Sequence, residues 1–198
     1  MEGALLTAMR LKAKYSSRIY IESISMIAIF TALNIIITIF AVIKINNGQG
    51  YVNLSDVLIM TLSSTLHPVI GGLVGGISSC IADVSLGYGI YAPFSFIIKT
   101  LEGLLIGYLI RIVAKYNKKV ALIVSPFIIL IGGVFMSAGY FFLEYFLYGL
   151  SVASFDITFN LLQGLICSAI SIVLFYSIYN MPIYNSLSVT ANTHFLRK

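Results

Sequence analysis

Long apolar runs separated by short polar segments dominate the chain. Residues 23–43, 120–143 and 157–179 contain no Asp, Glu, Lys or Arg. A helix needs about 20 mainly apolar residues to cross a bilayer, so each run predicts one membrane-spanning helix. Residues 93–113 predict a fourth, although this run carries a few charged side chains.

The stretch from residue 54 to 86 is longer than one span and short for two. His67-Pro68 lies near its middle, and proline disfavours the helical conformation in the residue before it. A single crossing would place the basic cluster at residues 111–119 opposite the basic N-terminal segment. Two crossings place both clusters on one side, as the positive-inside rule requires. We therefore predict that this stretch crosses the membrane twice, as two helices separated by a break at His67-Pro68.

The pattern thus predicts an all-α integral membrane protein with a six-transmembrane-helix bundle and both termini in the cytoplasm. The helices are expected at about residues 21–43, 54–67, 69–86, 92–113, 120–145 and 156–180. Residues 1–20 form a basic cytoplasmic tail, residues 21–180 the membrane domain, and residues 181–198 a cytoplasmic C-terminal tail.

Composition strengthens this interpretation. Only 10% of the 198 residues are charged and 59% are hydrophobic, whereas soluble domains carry roughly 25% charged residues. The net charge of +5 comes from basic residues that flank apolar runs, which is typical of membrane orientation and not of a nucleic-acid surface. We expect a multi-pass protein of the cell membrane that does not bind nucleic acid.

Two charged residues lie at membrane depth in the fourth predicted span. Lys99 and Glu102 are three positions apart, so they share one helix face. Each lone charge costs about 2.5–3.5 kcal/mol at the centre of a spanning helix, so both should face the bundle interior. They either contact a ligand or form a structural ion pair.

The last predicted helix carries a polar stripe. Asp156, Asn160, Gln163 and Cys167 recur at helical spacing and share one face. Buried amides in a membrane helix require hydrogen-bond partners. Those partners are either a substrate or a neighbouring helix.

Two turn-rich segments flank the predicted site. Residues 83–93 contain Tyr88 and Tyr91, which either stack on a ring-shaped ligand or anchor the chain at the membrane interface. In the segment before the second helix, Tyr51, Asn53 and Asp56 are expected to close over the site. The predicted substrate-binding residues are Asn53, Asp83, Tyr88, Tyr91, Lys99, Glu102, Tyr140, Glu144, Asn160 and Gln163.

Familiar catalytic motifs are missing. The chain has no G-x-x-x-x-G-K-[ST] phosphate loop, no H-E-x-x-H and no G-x-S-x-G. Its two histidines, His67 and His194, are far apart in sequence. We therefore expect no enzyme activity, cofactor or metal.

The sequence resembles the S components, the substrate-binding membrane subunits of energy-coupling factor vitamin transporters. The resemblance covers about residues 20–180. It is carried by YVNLSD at residues 51–56 and by GGLVGGISSCIADVSLGYGIYAPFSFIIKTLEG at residues 71–103. The closest likeness is to the riboflavin-type branch, which is associated with riboflavin, hydroxymethylpyrimidine or pyridoxine.

This resemblance implies a vitamin bound near the outer face of a bacterial plasma membrane. It also implies assembly with a membrane T component and two ATPases, and a toppling motion that releases the vitamin inside. The A-x-x-x-A motif by which the family contacts the T component matches Ala28 and Ala32. These two residues are the predicted partner-binding positions.

Two other functions remain open at this point. A stand-alone secondary transporter would use Lys99, Glu102 and the outer carboxylates for ion coupling, although no inverted repeat is evident. A small intramembrane enzyme would need a nucleophile next to a base, and no histidine lies at membrane depth.

Overall fold

The computed structural model describes the backbone of residues 2–45 and 50–181, and the side chains of residues 21–45 and 50–181. Six helices and one antiparallel hairpin lie in these ranges. The elements are α1 (Glu2–Phe40), β1 (Ile43–Ile45), β2 (Gly50–Val52), α2 (Ser55–Thr65), α3 (Pro68–Leu86), α4 (Ala92–Tyr116), α5 (Lys118–Tyr148) and α6 (Leu150–Tyr179).

The helices have the length and composition of a membrane protein. Four of them are long and apolar enough to cross a bilayer: Ile21–Phe40 within α1, and all of α3, α5 and α6. α4 has 25 residues but carries charged side chains. α2 has only 11 residues, or about 16 Å at 1.5 Å per residue, which is short of the roughly 30 Å hydrocarbon core.

The predicted break at His67-Pro68 is present. α2 ends at Thr65 and α3 begins at Pro68, where the fixed φ of proline suits the first position of a helix. His67 has an extended backbone and caps α3, because its Nδ1 accepts a hydrogen bond of 3.2 Å from the Val69 N–H. The chain reverses here, so α2 and α3 pack as an antiparallel pair.

Other predicted boundaries were wrong. α6 begins at Leu150 and not near residue 156, because Gly149 adopts a left-handed φ of 88° and reverses the chain in one residue. Glycine adopts this conformation without a steric penalty. α1 ends at Phe40, so residues 41–43 leave the first helix and lead into the hairpin. The backbone is also helical through residues 2–20, the segment predicted as a tail; the predicted C-terminal tail lies almost entirely outside the described residues.

Glycines bring the helices close together. A Cβ on Gly103 of α4 would lie 2.7 Å from the Gly72 backbone of α3, and one on Gly133 of α5 would lie 3.0 Å from the Gly164 backbone of α6. Small residues at membrane helix interfaces permit this approach. Gly71, Gly72, Gly75 and Gly76 were predicted to pack inside the bundle, and all four are buried.

The bundle interior differs between its two ends. Buried apolar side chains, among them Met60, Ile106, Ile129 and Phe175, form a core in one half. Every buried Asp, Glu and Lys among the described residues lies in the half next to the hairpin, whereas buried Ser and Thr occur in both halves.

Candidate functional site

A polar cavity lined by thirteen residues lies at the hairpin end of the bundle. Each of four helices contributes two lining residues that are three or four positions apart and so share one face. These pairs are Ser79 and Asp83 on α3, Ser95 and Lys99 on α4, Tyr140 and Glu144 on α5, and Asn160 and Gln163 on α6.

The connections between helices complete the cavity wall. The hairpin and the residues after it provide Gly50, Tyr51 and Asn53, and the α3–α4 connection provides Tyr88 and Tyr91. The hairpin and the α3–α4 connection thus close the end of the bundle over a polar interior.

A buried charge cluster lies beside the cavity. The Lys99 ammonium donates a hydrogen bond to Asp56 in the first turn of α2, and its Nζ lies 3.8 Å from Glu102 Oε2. All three side chains are at most 2% exposed. The N-terminal position of Asp56 also stabilises its carboxylate through the helix dipole. The single ammonium of this cluster therefore balances two carboxyl groups.

Gln163 joins three elements through both ends of its amide. Its Nε2 donates to Asp56 Oδ2 at 2.6 Å, and its Oε1 accepts from the Asn53 backbone N–H at 2.8 Å. Asn53 Oδ1 in turn accepts from the Ser55 N–H at 2.8 Å. Gln163 consequently holds the start of α2 against α6.

Tyrosines cluster at the mouth of the cavity. Tyr51 donates its phenolic hydrogen to Asp83, and its ring lies 4.9 Å from that of Tyr88. Tyr88 meets Tyr91 edge to face at 6.3 Å. Burial raises the pKa of Tyr51 well above its ordinary value, and the neighbouring Asp83 raises it further. Tyr51 therefore remains a hydrogen-bond donor at physiological pH.

Tyr140 links two walls of the cavity. Its hydroxyl donates to Ser95 Oγ at 2.9 Å, and the Lys99 ammonium lies 5.4 Å from the centre of its ring. A cation at this distance from an aromatic face is attracted to it. Tyr140 thus helps to keep Lys99 in one position.

Nine of the ten predicted site residues line this cavity. The exception is Glu102, which lies beside Lys99. Asp56 was expected in a closing loop but is buried in α2 as the main partner of Lys99. Ser79 and Ser95 were missed, although each lies one helical turn before a predicted residue, Asp83 or Lys99, and shares its face.

The predicted partner-binding residues lie on the outer surface. Ala28 and Ala32 are exposed on α1. The opposite face of this helix is buried, and Asn34 Nδ2 donates to Ser78 Oγ of α3 at 2.8 Å. Ala28 and Ala32 are therefore available to a partner outside the bundle.

Fold and site together define a membrane protein that encloses a small-molecule cavity at one end of a helical bundle. Residues 18–183 match the family of the ECF-type riboflavin transporter S component, and the chain belongs to this family of energy-coupling factor proteins. It is also 35% identical over 112 residues to an uncharacterized protein in the gap 3′ region of Pyrococcus woesei; the match covers 57% of this chain and 71% of that relative. The predicted family is confirmed. Its members are substrate-binding subunits of vitamin transport and not enzymes.

Proposed function

We propose that this protein captures a small heteroaromatic vitamin, of the riboflavin, pyridoxine or hydroxymethylpyrimidine class, at the outer face of a bacterial plasma membrane. As an S component, it then delivers the vitamin across the membrane. The observation that carries this proposal is the cavity itself, to which four helices contribute polar side chains at one end of the bundle.

The proposed topology has six crossings and cytoplasmic termini. Its support is the distribution of basic residues. Lys115, Lys118 and Lys119 lie where α4 ends and α5 begins, at the end of the bundle opposite the cavity. The positive-inside rule assigns that end to the cytoplasm, so the cavity faces outward.

The contacts of the site divide its residues by role. Lys99 is bonded to Asp56, and both ends of the Gln163 amide are bonded to protein groups. We assign these two residues to holding the cavity wall in place. Asn160 lines the cavity beside Glu144 and is the proposed amide contact of the ligand. Tyr88 and Tyr91 cover the ligand ring at the mouth.

The proposed partners are a membrane T component and two ATPases, whose ATP hydrolysis drives delivery. Ala28 and Ala32 support this because they form a small-residue pair on an exposed helix face, where another helix can approach closely.

The test is vitamin uptake by cells that express this chain with a T component and ATPases. We expect ATP-dependent accumulation of one of the three vitamins, which is lost when the ATPase nucleotide sites are inactivated. Undiminished accumulation without active ATPases would instead establish a stand-alone secondary transporter. As a control, cells that express the T component and the ATPases without this chain should take up no vitamin.

A further inference from the structure

The buried face of α1 is polar, although the helix itself is apolar. Among its described side chains, at residues 21–40, three are buried: Thr31, Asn34 and Thr38. Their spacing of three and four places them on one face, while apolar side chains such as Ile29 and Ile36 are exposed. Lipid is as apolar as these isoleucines, so burying them against another helix would give no driving force. The attachment of α1 therefore depends on close packing and on hydrogen bonds from its polar face.

Asn34 supplies such a hydrogen bond to the rest of the bundle. Its Nδ2 donates to Ser78 Oγ of α3 at 2.8 Å, and both residues are 0% exposed. The Ser78 hydroxyl in turn donates to the Gly75 carbonyl at 3.2 Å, so its oxygen is free to accept from Asn34. A rotation of α1 by one residue, about 100°, would break the bond and leave a buried amide donor without a partner, which is costly. The bond thus favours one rotation of α1 on α3.

This rotation also determines where the small-residue pair of α1 points. Ala28 and Ala32 precede Asn34 by six and two residues, so they lie about 120° and 160° from it around the helix axis at 100° per residue. With Asn34 seated on Ser78, both alanines are directed away from α3, and both are exposed. The next residue of α3, Ser79, lines the cavity. The Asn34–Ser78 bond thus fixes the orientation of the alanine pair relative to the cavity wall.

We infer that Asn34 is a positioning residue for assembly with the T component. Its hydrogen bond to Ser78 holds α1 in the rotation that presents Ala28 and Ala32 to that partner. Asn34 contacts neither partner nor vitamin itself, because it is buried against α3 and does not line the cavity. The inference rests on the proposed function and adds a residue that acts through α1. Without the bond, only the fraction of chains in the correct rotation binds the partner.

The experiment is the equilibrium affinity of the purified full-length chain for the T component and ATPases that support uptake in the assay above. Asn34→Leu removes the donor and keeps a branched side chain of similar size. A hydrogen bond between membrane helices shifts an equilibrium by roughly 3- to 20-fold. We expect the affinity for the partner to fall by a factor in this range. The vitamin affinity of the isolated variant should be unchanged.

Thr38→Val is the matched control. Thr38 lies on the same buried face, but its hydroxyl donates within α1, to the Asn34 carbonyl at 2.7 Å. Valine has the shape of threonine, so this variant loses a buried hydrogen bond and keeps the bond between α1 and α3. Its affinity for the partner should equal that of the unchanged chain.

A double-mutant cycle isolates the bond itself. Ser78→Ala removes the acceptor and should weaken assembly as Asn34→Leu does. The double variant should be no weaker than Asn34→Leu alone, because the same bond is lost only once. Thermal unfolding shows whether each variant is folded. If Asn34→Leu does not fold, Ser78→Ala decides, and an unchanged affinity of that variant for the partner overturns the inference.

The outcomes separate this inference from the proposed function. Unchanged affinity of Asn34→Leu, an equal loss in Thr38→Val, or additive losses in the cycle overturn the positioning role and leave the proposed function intact. If the unchanged chain binds its vitamin but assembles with no T component, the proposed partners fail and this inference fails with them.

Discussion

Lys99 of α4 is bonded to Asp56 of α2 although the two are 43 positions apart in sequence. Both side chains are buried, and Glu102 Oε2 lies 3.8 Å from the same ammonium. The pair anchors the shortest helix of the bundle next to the cavity. Removal of one partner from a buried ion pair leaves an uncompensated charge, whereas removal of both can be nearly neutral.

This relationship predicts a strong stability coupling. Lys99→Met should destabilise the protein by about 3–5 kcal/mol, because Asp56 and Glu102 are then left as neighbouring buried acids. The double variant Asp56→Asn with Lys99→Met should recover much of that loss. Thermal unfolding of the single and the double variant in the same detergent measures the two losses of stability. Equal destabilisation by the two variants would contradict the pairing.

Local patterns in the sequence predicted much of this architecture. Apolar runs located the spans, and Pro68 located the break between α2 and α3. Helical spacing placed Asp156, Asn160 and Gln163 on one buried face. These features depend on residues within a few turns of one another, so they are readable without tertiary information.

The Lys99–Asp56 bond was not predictable in this way. Spacing suggested Glu102 as the partner of Lys99, because only neighbours on one helix can be paired from sequence. Asp56 reaches Lys99 because the first turn of α2 packs beside α4. The early start of α6 was missed for a related reason, since the single-residue reversal at Gly149 depends on its backbone conformation.

Close helix packing predicts a selective sensitivity to added methyl groups. Gly103→Ala should destabilise the protein, because its Cβ would lie 2.7 Å from the backbone of Gly72; overpacking of this kind typically costs about 1–3 kcal/mol. Gly89→Ala is the matched control, as nothing lies within 4 Å of a Cβ there. Unfolding midpoints should fall for the first variant only, and an equal response of the two would refute the tight α3–α4 contact.

His67 predicts a pH dependence of stability. Burial, together with the positive charge of Arg111, lowers the pKa of His67 from 6.5 to about 4. Between these values the unfolded chain binds more protons than the folded one, so stability is complete above pH 6.5 and is lost as the pH falls towards 4.

The matched variant is His67→Asn, which retains a side-chain acceptor suited to capping α3 but does not titrate. Its unfolding midpoint should fall less than that of the unchanged protein between pH 6.5 and 4. Parallel curves for the two proteins would show that protonation of His67 does not contribute.

The exposed alanines of α1 predict that assembly with a T component can be lost while vitamin binding is kept. Ala28→Trp with Ala32→Trp should abolish co-purification with a T component, because bulky side chains prevent close helix approach. Vitamin affinity of the isolated chain should be unchanged, since neither residue lines the cavity. Ile29→Trp, at an exposed neighbouring position, is the control that should still assemble; loss of assembly in this control as well would remove the special role of the alanines.

The most direct test of the central claim is the stoichiometry of vitamin binding, measured by native mass spectrometry and titration with riboflavin, pyridoxine and hydroxymethylpyrimidine. We expect one molecule of one vitamin per chain. Asn160→Leu, which removes a cavity-lining amide, should abolish or greatly weaken binding, whereas Leu165→Ala, on the exposed face of α6, should not. Absence of binding to the folded protein, or undiminished binding to Asn160→Leu, would contradict the assignment of this cavity as the vitamin site.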